Sequence, residues 1–174
     1  DGFSMEGFFV NAFGVGFDSA VAERARRSRK IRGTAGYLWV ALGTLAHWRP
    51  RIMSISTDTW SRTGETLLAT LGNGVCSGGG FYLTPRALLD DGMLDLCVVF
   101  GMSLPAVLFL LPRSMWGGHV ASDSVAYVKT NRATISIDPP TPVHLDGEIL
   151  TEAAVEIQVD VIPGAIDIRA PFGG

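Results

Sequence analysis

Apolar and polar positions follow two different periods along the chain, and the change of period near residue 50 divides it. GFFVNAFGVGFDS (7–19) opens as an apolar strand and runs out in glycines. Asp18 or Ser19 then offers a short side-chain oxygen to cap a helix over AVAERARRSRKI (20–31), which Gly33 closes. TAGYLWVALGTLAHW (34–48) reads as a second helix, apolar enough to be buried, and Pro50 ends it. Beyond it the period drops to two. RIMSISTDTW (51–60), GETLLATLGN (64–73) and MLDLCVVF (93–100) read as strands. Between them lie a glycine loop, GNGVCSGGG (72–80), and a short turn or 3₁₀ piece, LTPRALLDDG (83–92), introduced by Pro85. SLPAVLFLLPRSMW (103–116) is the third helix, with Ser103 as its cap and Pro105 in its first turn. The last third reads as all β: SVAYVKT (124–130), RATISID (132–138), TPVHLDGEIL (141–150), AAVEIQVDVIP (153–163) and GAIDIRAP (164–171). There Ile135 and Ile137 trade faces with Ser136, and Val155, Ile157 and Val159 with Glu156 and Gln158. No repeat or linker interrupts the pattern. Residues 1–174 therefore read as one α+β domain, mainly antiparallel β with about three helices.

Composition narrows the function classes. Apolar residues make up 47% and charged residues 18% of 174, a globular balance with enough chain for a real core. The 21 glycines imply many tight turns. With a net charge of −3 and one basic block, RARRSRK (24–30), the chain is no nucleic-acid binder; the block reads as the wet side of a helix, with anionic lipid head groups as the alternative contact. Cys76 and Cys97 have no partner at metal-ligand spacing, so neither a disulfide framework nor zinc is indicated, and a reduced cytoplasmic setting is expected. DGFSMEGFFV lacks the basic start and apolar run of a signal peptide; without an initiator Met it reads as a piece of a longer chain. The most apolar segment, 93–112, is broken by Asp95, Gly101, Ser103 and Pro105, short of the roughly 20 apolar residues a membrane span requires.

Four stretches carry candidate chemistry, each with a plain structural alternative. NAFGVGFDSAVA (11–22) places Gly14 and Gly16 before a helix, which suits close approach of a ligand or a mere strand-to-helix turn. GNGVCSGGGFYLTP (72–85) suits a surface that something presses against, or a bulged hairpin. ALLDDGMLDL (87–96) gathers Asp90, Asp91 and Asp95 around a glycine; like charges this close raise each other's pKa unless a cation, donors or water separate them, so a hard-metal site stands against a solvated turn. HLDGEIL (144–150) is either a hairpin bend or a way to aim a carboxylate at a substrate hydroxyl.

In their order along the chain these stretches resemble the diacylglycerol kinase catalytic superfamily of lipid kinases, which includes soluble bacterial enzymes and the sphingosine and ceramide kinases. The resemblance runs through F-x-N-x-x-G-x-G-F-D-x-x-V-A (Phe9 to Ala22), Lys30, Gly33 and Tyr37, then GNG…GGG…P.A…DG.LD (Gly72 to Asp95), GGH ending at His119, and DGE at 146–148. It implies the C-terminal β-sandwich domain of a two-domain NAD kinase/diacylglycerol kinase-like fold. The Gly-Gly-Asp-Gly-Thr motif with which the N-terminal domain of such kinases holds ATP is absent from these 174 residues, so that domain is expected outside this chain, and the chain alone is expected to be inactive.

By the same resemblance, Asp91 with the carbonyls of Leu88 and Met93 would hold Mg²⁺, or Ca²⁺ in its place. Glu148 would accept the proton of the lipid hydroxyl, with Asp146 as second candidate. Asn11, Asp18, Asn73, Gly78, Gly79 and Gly80 would line the cleft. Residues 104–111 read as core, the alternative being shelter for an acyl chain or contact with the bilayer. The implied partners are a lipid such as diacylglycerol, ATP on the N-terminal domain, a second copy of the chain, and the inner face of the membrane as a peripheral surface. A carboxylate within reach of an attacking alcohol fits a reaction that leaves the protein mainly positioning and charge neutralisation. The rival readings are an NAD kinase-like domain and a non-catalytic β-sandwich for lipid binding or dimerisation. The kinase reading expects the bends at Gly92 and Gly147 to converge on one crevice.

Overall fold

The computed structural model describes residues 4–27, 33–77 and 80–167. In chain order it contains β1 (Ala12–Gly16), α1 (Phe17–Arg27), α2 (Gly33–Leu45), β2 (Arg51–Thr57), β3 (Ser61–Gly72), β4 (Leu94–Phe100) and α3 (Leu104–Arg113). Two 3₁₀ turns follow at Ser114–Trp116 and Gly118–Ala121, then β5 (Val125–Thr130), β6 (Arg132–Leu145) and β7 (Glu148–Asp160).

Every strand pairing is antiparallel, and hydrogen bonds join all seven strands. β1 and β2 share one lane between the long strands β3 and β6. β2 pairs with Ser61–Thr66 of β3 and Ala133–Asp138 of β6, while β1 pairs with Leu68–Gly72 and Val143–Leu145. β4 and β5 continue the sheet beyond β3, and β7 lies outside β6. On one face all seven strands contribute to a core around Phe13, Met53, Ile55, Leu71, Leu96 and Ile135. On the other, the helices cover Leu67, Leu68, Cys97 and Val99 with Phe17, Val21, Val40, Leu45, Val107 and Leu110. This is the helix-bearing antiparallel β-sandwich expected. Among the described residues no helix is long and apolar enough to cross a membrane.

The departures have physical reasons. The first strand begins at Ala12, not at residue 7, because the amides of Val10 and Asn11 are taken by a side chain of the distant β6–β7 bend rather than by a strand. Asp18 and Ser19 lie inside the first turn of α1, not at its cap; the Ser19 hydroxyl donates back to the Gly14 carbonyl at 2.7 Å. Gly33 opens α2 instead of closing α1, and the end of the expected first helix, with Lys30, lies outside the described residues. Ser103 stands at the N-cap of α3 without a capping side-chain bond, and Pro105 sits in the first turn as expected. Residues 83–92 form turns only.

Val155 is 56% exposed, against the expected alternation. The register passes from Ser136↔Glu156 to Thr141↔Ala154, so β6 carries extra residues where Pro139 and Pro140 have no amide to give the ladder. The in-and-out phase slips there, and Ala154 takes the buried side. Residues 164–167 are turn and irregular chain; the rest of the last expected strand lies outside the described residues.

Candidate functional site

Because β1 shares its lane with β2, its residues come to lie beside the bend that joins β6 to β7. In that register Gly14 faces His144 directly. Its lack of a side chain is required: a Cβ there would stand 2.2 Å from His144 Nε2 and 2.6 Å from Asp18 Oδ2. Across this gap His144 Nε2 meets Asp18 Oδ2 at 2.9 Å, and both side chains are buried. Thr70 on β3 donates to the same carboxylate at 3.4 Å and Tyr37 on α2 at 3.5 Å.

Burial alone would push the Asp18 carboxyl up, but His144, Thr70 and Tyr37 outweigh it and hold the pKa below the ordinary value. Burial likewise opposes charge on His144, and Asp18, with a smaller pull from Asp146, outweighs it and raises that pKa. Burial, and then the Asp18 charge, push the Tyr37 phenol up, so it stays protonated and donates.

This pair forms one wall of a cavity of about 310 Å³, lined by residues that include Asn11, Asp18, Arg26, Tyr37, Ser77, His144, Asp146 and Glu148. Asp146, in the left-handed region at φ 51°, turns its carboxylate back onto the chain entering β1. It accepts the amides of Val10 at 2.8 Å, Asn11 at 2.9 Å and Ala12 at 2.8 Å. Both of its oxygens are thus engaged in joining the bend to the start of β1. Glu148 follows at the start of β7; it is exposed at the cavity wall, and among the described residues its carboxylate has no hydrogen-bond or ion-pair partner.

Asn11 ties the cavity to the glycine loop: its side-chain amide donates to Cys76 O at 3.1 Å, and its carbonyl accepts the amides of Asn73 and Gly74 at 2.8 and 3.0 Å. Asn73 does not line the cavity. Its side chain donates to Val10 O at 2.9 Å and holds the segment that Asp146 grips from the other side. Gly80, at φ 118°, turns the chain between Ser77 and Phe81, which exchange backbone bonds at 2.9 and 3.0 Å. Gly78 and Gly79 lie outside the described residues.

Asp91 is not among the lining residues of this cavity, nor are Leu88 and Met93. Asp91 accepts the Met93 amide at 3.0 Å and forms an ion pair with Lys129 of β5. The Lys129 hydrogen bond, assisted by the Met93 amide, holds its carboxyl below the ordinary pKa. Asp95, the second residue of β4, lies opposite Lys129 in the β4–β5 register. It is buried with both carboxylate oxygens unpartnered among the described residues, and burial raises its pKa against the pull of Tyr127 and Lys129. An all-oxygen donor set from a turn, beside an orphaned buried carboxylate, fits a hard cation; Lys129 competes with such an ion for Asp91.

Reading the sequence missed His144. Its only local trace is Gly14, whose missing side chain makes room for the ring. It also missed Arg26 at the cavity wall. His119, part of the quoted pattern, proves to be a buried core group: its Nε2 lies 3.2 Å from Leu83 O and 3.5 Å from Cys97 Sγ, while burial pushes the Cys97 thiol up to about 12.

The family described as the YegS C-terminal NAD kinase beta sandwich-like domain matches residues 11–170. Among curated proteins, a diacylglycerol kinase of Mycobacterium tuberculosis is 31% identical over 98% of this chain and 54% of its own length. A probable lipid kinase YegS-like of Pectobacterium atrosepticum is 29% identical over 94% of this chain and 53% of its length. The chain thus spans about half the length of the curated relatives it matches. Among solved structures, a putative diacylglycerol kinase from Bacillus anthracis superposes with a TM-score of 0.63 at 23% identity, covering 90% of this chain and 51% of that one.

Proposed function

The chain belongs to the family of YegS C-terminal, NAD kinase β-sandwich-like domains, and on that premise we propose that it is the acceptor-side domain of an ATP-dependent lipid kinase. The observation that carries this reading is Glu148, a carboxylate without a partner among the described residues, on the wall of a cavity of about 310 Å³ where Asp18 and His144 engage one another and Asp146 is taken by backbone amides. A lipid alcohol entering that cavity attacks the γ-phosphorus of ATP. A new oxygen–phosphorus bond forms as the bond to the ADP oxygen breaks, and the hydroxyl proton passes to Glu148. Asp146 holds Glu148's bend against β1, and Asp18 and Tyr37 supply the inner polar wall. Leu88, Asp91 and Met93 would hold a divalent cation, Mg²⁺ or Ca²⁺. When bound there it would supply positive charge at the Gly92 bend, outside the cavity.

ATP is held by the N-terminal domain of the longer protein, so this chain alone turns nothing over. The substrate lives in a bilayer, and the exposed outer face of α3, with Leu104, Leu108, Phe109 and then Trp116, is the apolar surface suited to the cytoplasmic lipid–water boundary; Val107 and Leu110 face the core. The test is phosphate transfer from labelled ATP by the full-length protein to short-chain diacylglycerol and, in parallel, to NAD. Labelled phosphatidic acid supports the reading. Labelled NADP replaces it with the nucleotide-kinase alternative, and no transfer to either acceptor leaves a non-catalytic lipid-binding domain.

A further inference from the structure

We propose that His144 is a positioning residue for Glu148: one ring nitrogen is anchored by Asp18, the other holds the Gly147 amide, and the ring thereby fixes the bend that carries the carboxylate. The inference rests on the reading of Glu148 above, though its geometric half stands without it.

Both nitrogens of the ring are committed. Nε2 lies 2.9 Å from Asp18 Oδ2, and Nδ1 lies 3.2 Å from the Gly147 amide nitrogen. A backbone amide can only donate, so Nδ1 is the acceptor and the neutral ring carries its proton on Nε2, pointing at the carboxylate. The ring therefore has no nitrogen free for a substrate proton, which separates it from an acid or base in the reaction. What it can do is hold a backbone. Asp146 and Gly147 are consecutive residues with positive φ, 51° and 88°, the two-residue hairpin bend that Asp-Gly favours, and the anchors set how that bend sits against the cavity. Asp146 is anchored by three amides of the entry to β1, and Gly147 by His144. Glu148 is the next residue, so these two grips set where its side chain starts.

One proton would then pull in opposite directions. Protonation puts a hydrogen on Nδ1, where it opposes the Gly147 N–H and releases that arm. The same proton strengthens the contact with Asp18. The charged and titratable groups that touch the ring or line the same cavity are Asp18 and Arg26 of α1, Tyr37 of α2, and Asp146 and Glu148 of the bend; of these Asp18 is in direct contact. A purely structural histidine would move stability and turnover together as pH falls. Here stability rises while turnover declines.

The test uses the full-length protein with ¹⁵N-labelled histidine and glycine. Long-range ¹H–¹⁵N correlation should show the His144 ring as the Nε2–H tautomer, with the Gly147 amide shifting on the same titration curve. The Nδ1–H tautomer, or a Gly147 amide indifferent to that titration, overturns the inference, whether or not the protein transfers phosphate. In kinetics, His144→Gln keeps a donor for Asp18, loses the acceptor for Gly147 and does not titrate. It should lower kcat about tenfold, with the lipid KM changed less than about twofold, and remove the His144 limb from the acid side of the kcat profile. His144→Gln with unaltered kcat and the same acid limb also overturns it.

Discussion

Replacing Gly14 with alanine forces a methyl group into the contact between β1 and the Asp18–His144 pair. The added Cβ would lie 2.2 Å from His144 Nε2, 2.6 Å from Asp18 Oδ2 and 2.9 Å from His144 Cδ2. Both partners are buried, His144 with 4% and Asp18 with 7% of its surface accessible, so neither can swing out into solvent. Overpacking of a tight interior costs about 1–3 kcal/mol, and breaking a buried hydrogen bond to a charged group costs about 1.5–3 kcal/mol. Relief of one limits the other, so the expected loss is about 3 kcal/mol. For a domain of this size that lowers Tm by about 6–12 °C. Gly64 on β3 is the matched control: a Cβ there meets nothing within 4 Å, and alanine in an open strand position should change stability by less than about 0.5 kcal/mol or improve it. Urea unfolding of Gly14→Ala and Gly64→Ala, compared at equal m-values, measures both. Equal midpoints for the two variants would refute the placement of His144 over Gly14 and, with it, the shape of the cavity wall.

Other expectations follow from the same geometry. Asp146→Asn leaves one oxygen for three amides and should cost about 2 kcal/mol of stability, read by urea unfolding, while amide exchange at Val10–Ala12 speeds up; an unchanged midpoint would mean the amides find other acceptors. Asp18 has a lowered pKa, so its contribution is present above the ordinary carboxylate range and is lost as pH falls through the folded value. His144 has a raised pKa, so its contribution is complete below the ordinary imidazole value and is lost as pH rises through the folded one. The stability gap between wild type and Asp18→Asn should therefore be widest between about pH 4 and 6.5 and shrink on both sides; a gap that does not vary with pH contradicts the pairing. Lys129→Met removes the ammonium that competes for Asp91, so divalent-ion binding measured by calorimetry should tighten, and Asp91→Asn should abolish it. Weaker binding in Lys129→Met would move the cation site elsewhere.

Much of the β architecture was legible because its cause is local. Strands β2, β4 and β5 alternate or run apolar between turn residues, and α3 announces itself by Ser103 and Pro105. What was not legible arises from partners far away in sequence. Nothing within residues 7–12 says that Asp146 will take three of their amides, so the sequence pattern extends the first strand ahead of its real start. Val155 is apolar and in phase with Ile157, yet two prolines on the neighbouring strand shift the phase. Asp18 has the chemistry of a cap, and a histidine 126 positions away turns it into half of a buried pair.

The candidate site divides in the same way. Asn11, Asp18, Asp146 and Glu148 line one cavity. Asn73 is a strut behind it, and the bend at Gly92 faces Lys129 instead of that cavity, so the single crevice expected for both bends is not seen. The acidic cluster in ALLDDGMLDL proves to be heterogeneous: Asp91 is paired, and Asp95 is buried with its carboxylate oxygens unpartnered among the described residues.

The role of Glu148 is the central claim, and one comparison tests it most directly: lipid phosphorylation by the full-length protein carrying Glu148→Gln. Glutamine keeps the size and the exposed position but cannot accept the hydroxyl proton. The account expects kcat to fall about 10²–10⁴-fold with the urea midpoint unmoved. Turnover within a fewfold of wild type at every pH would contradict it.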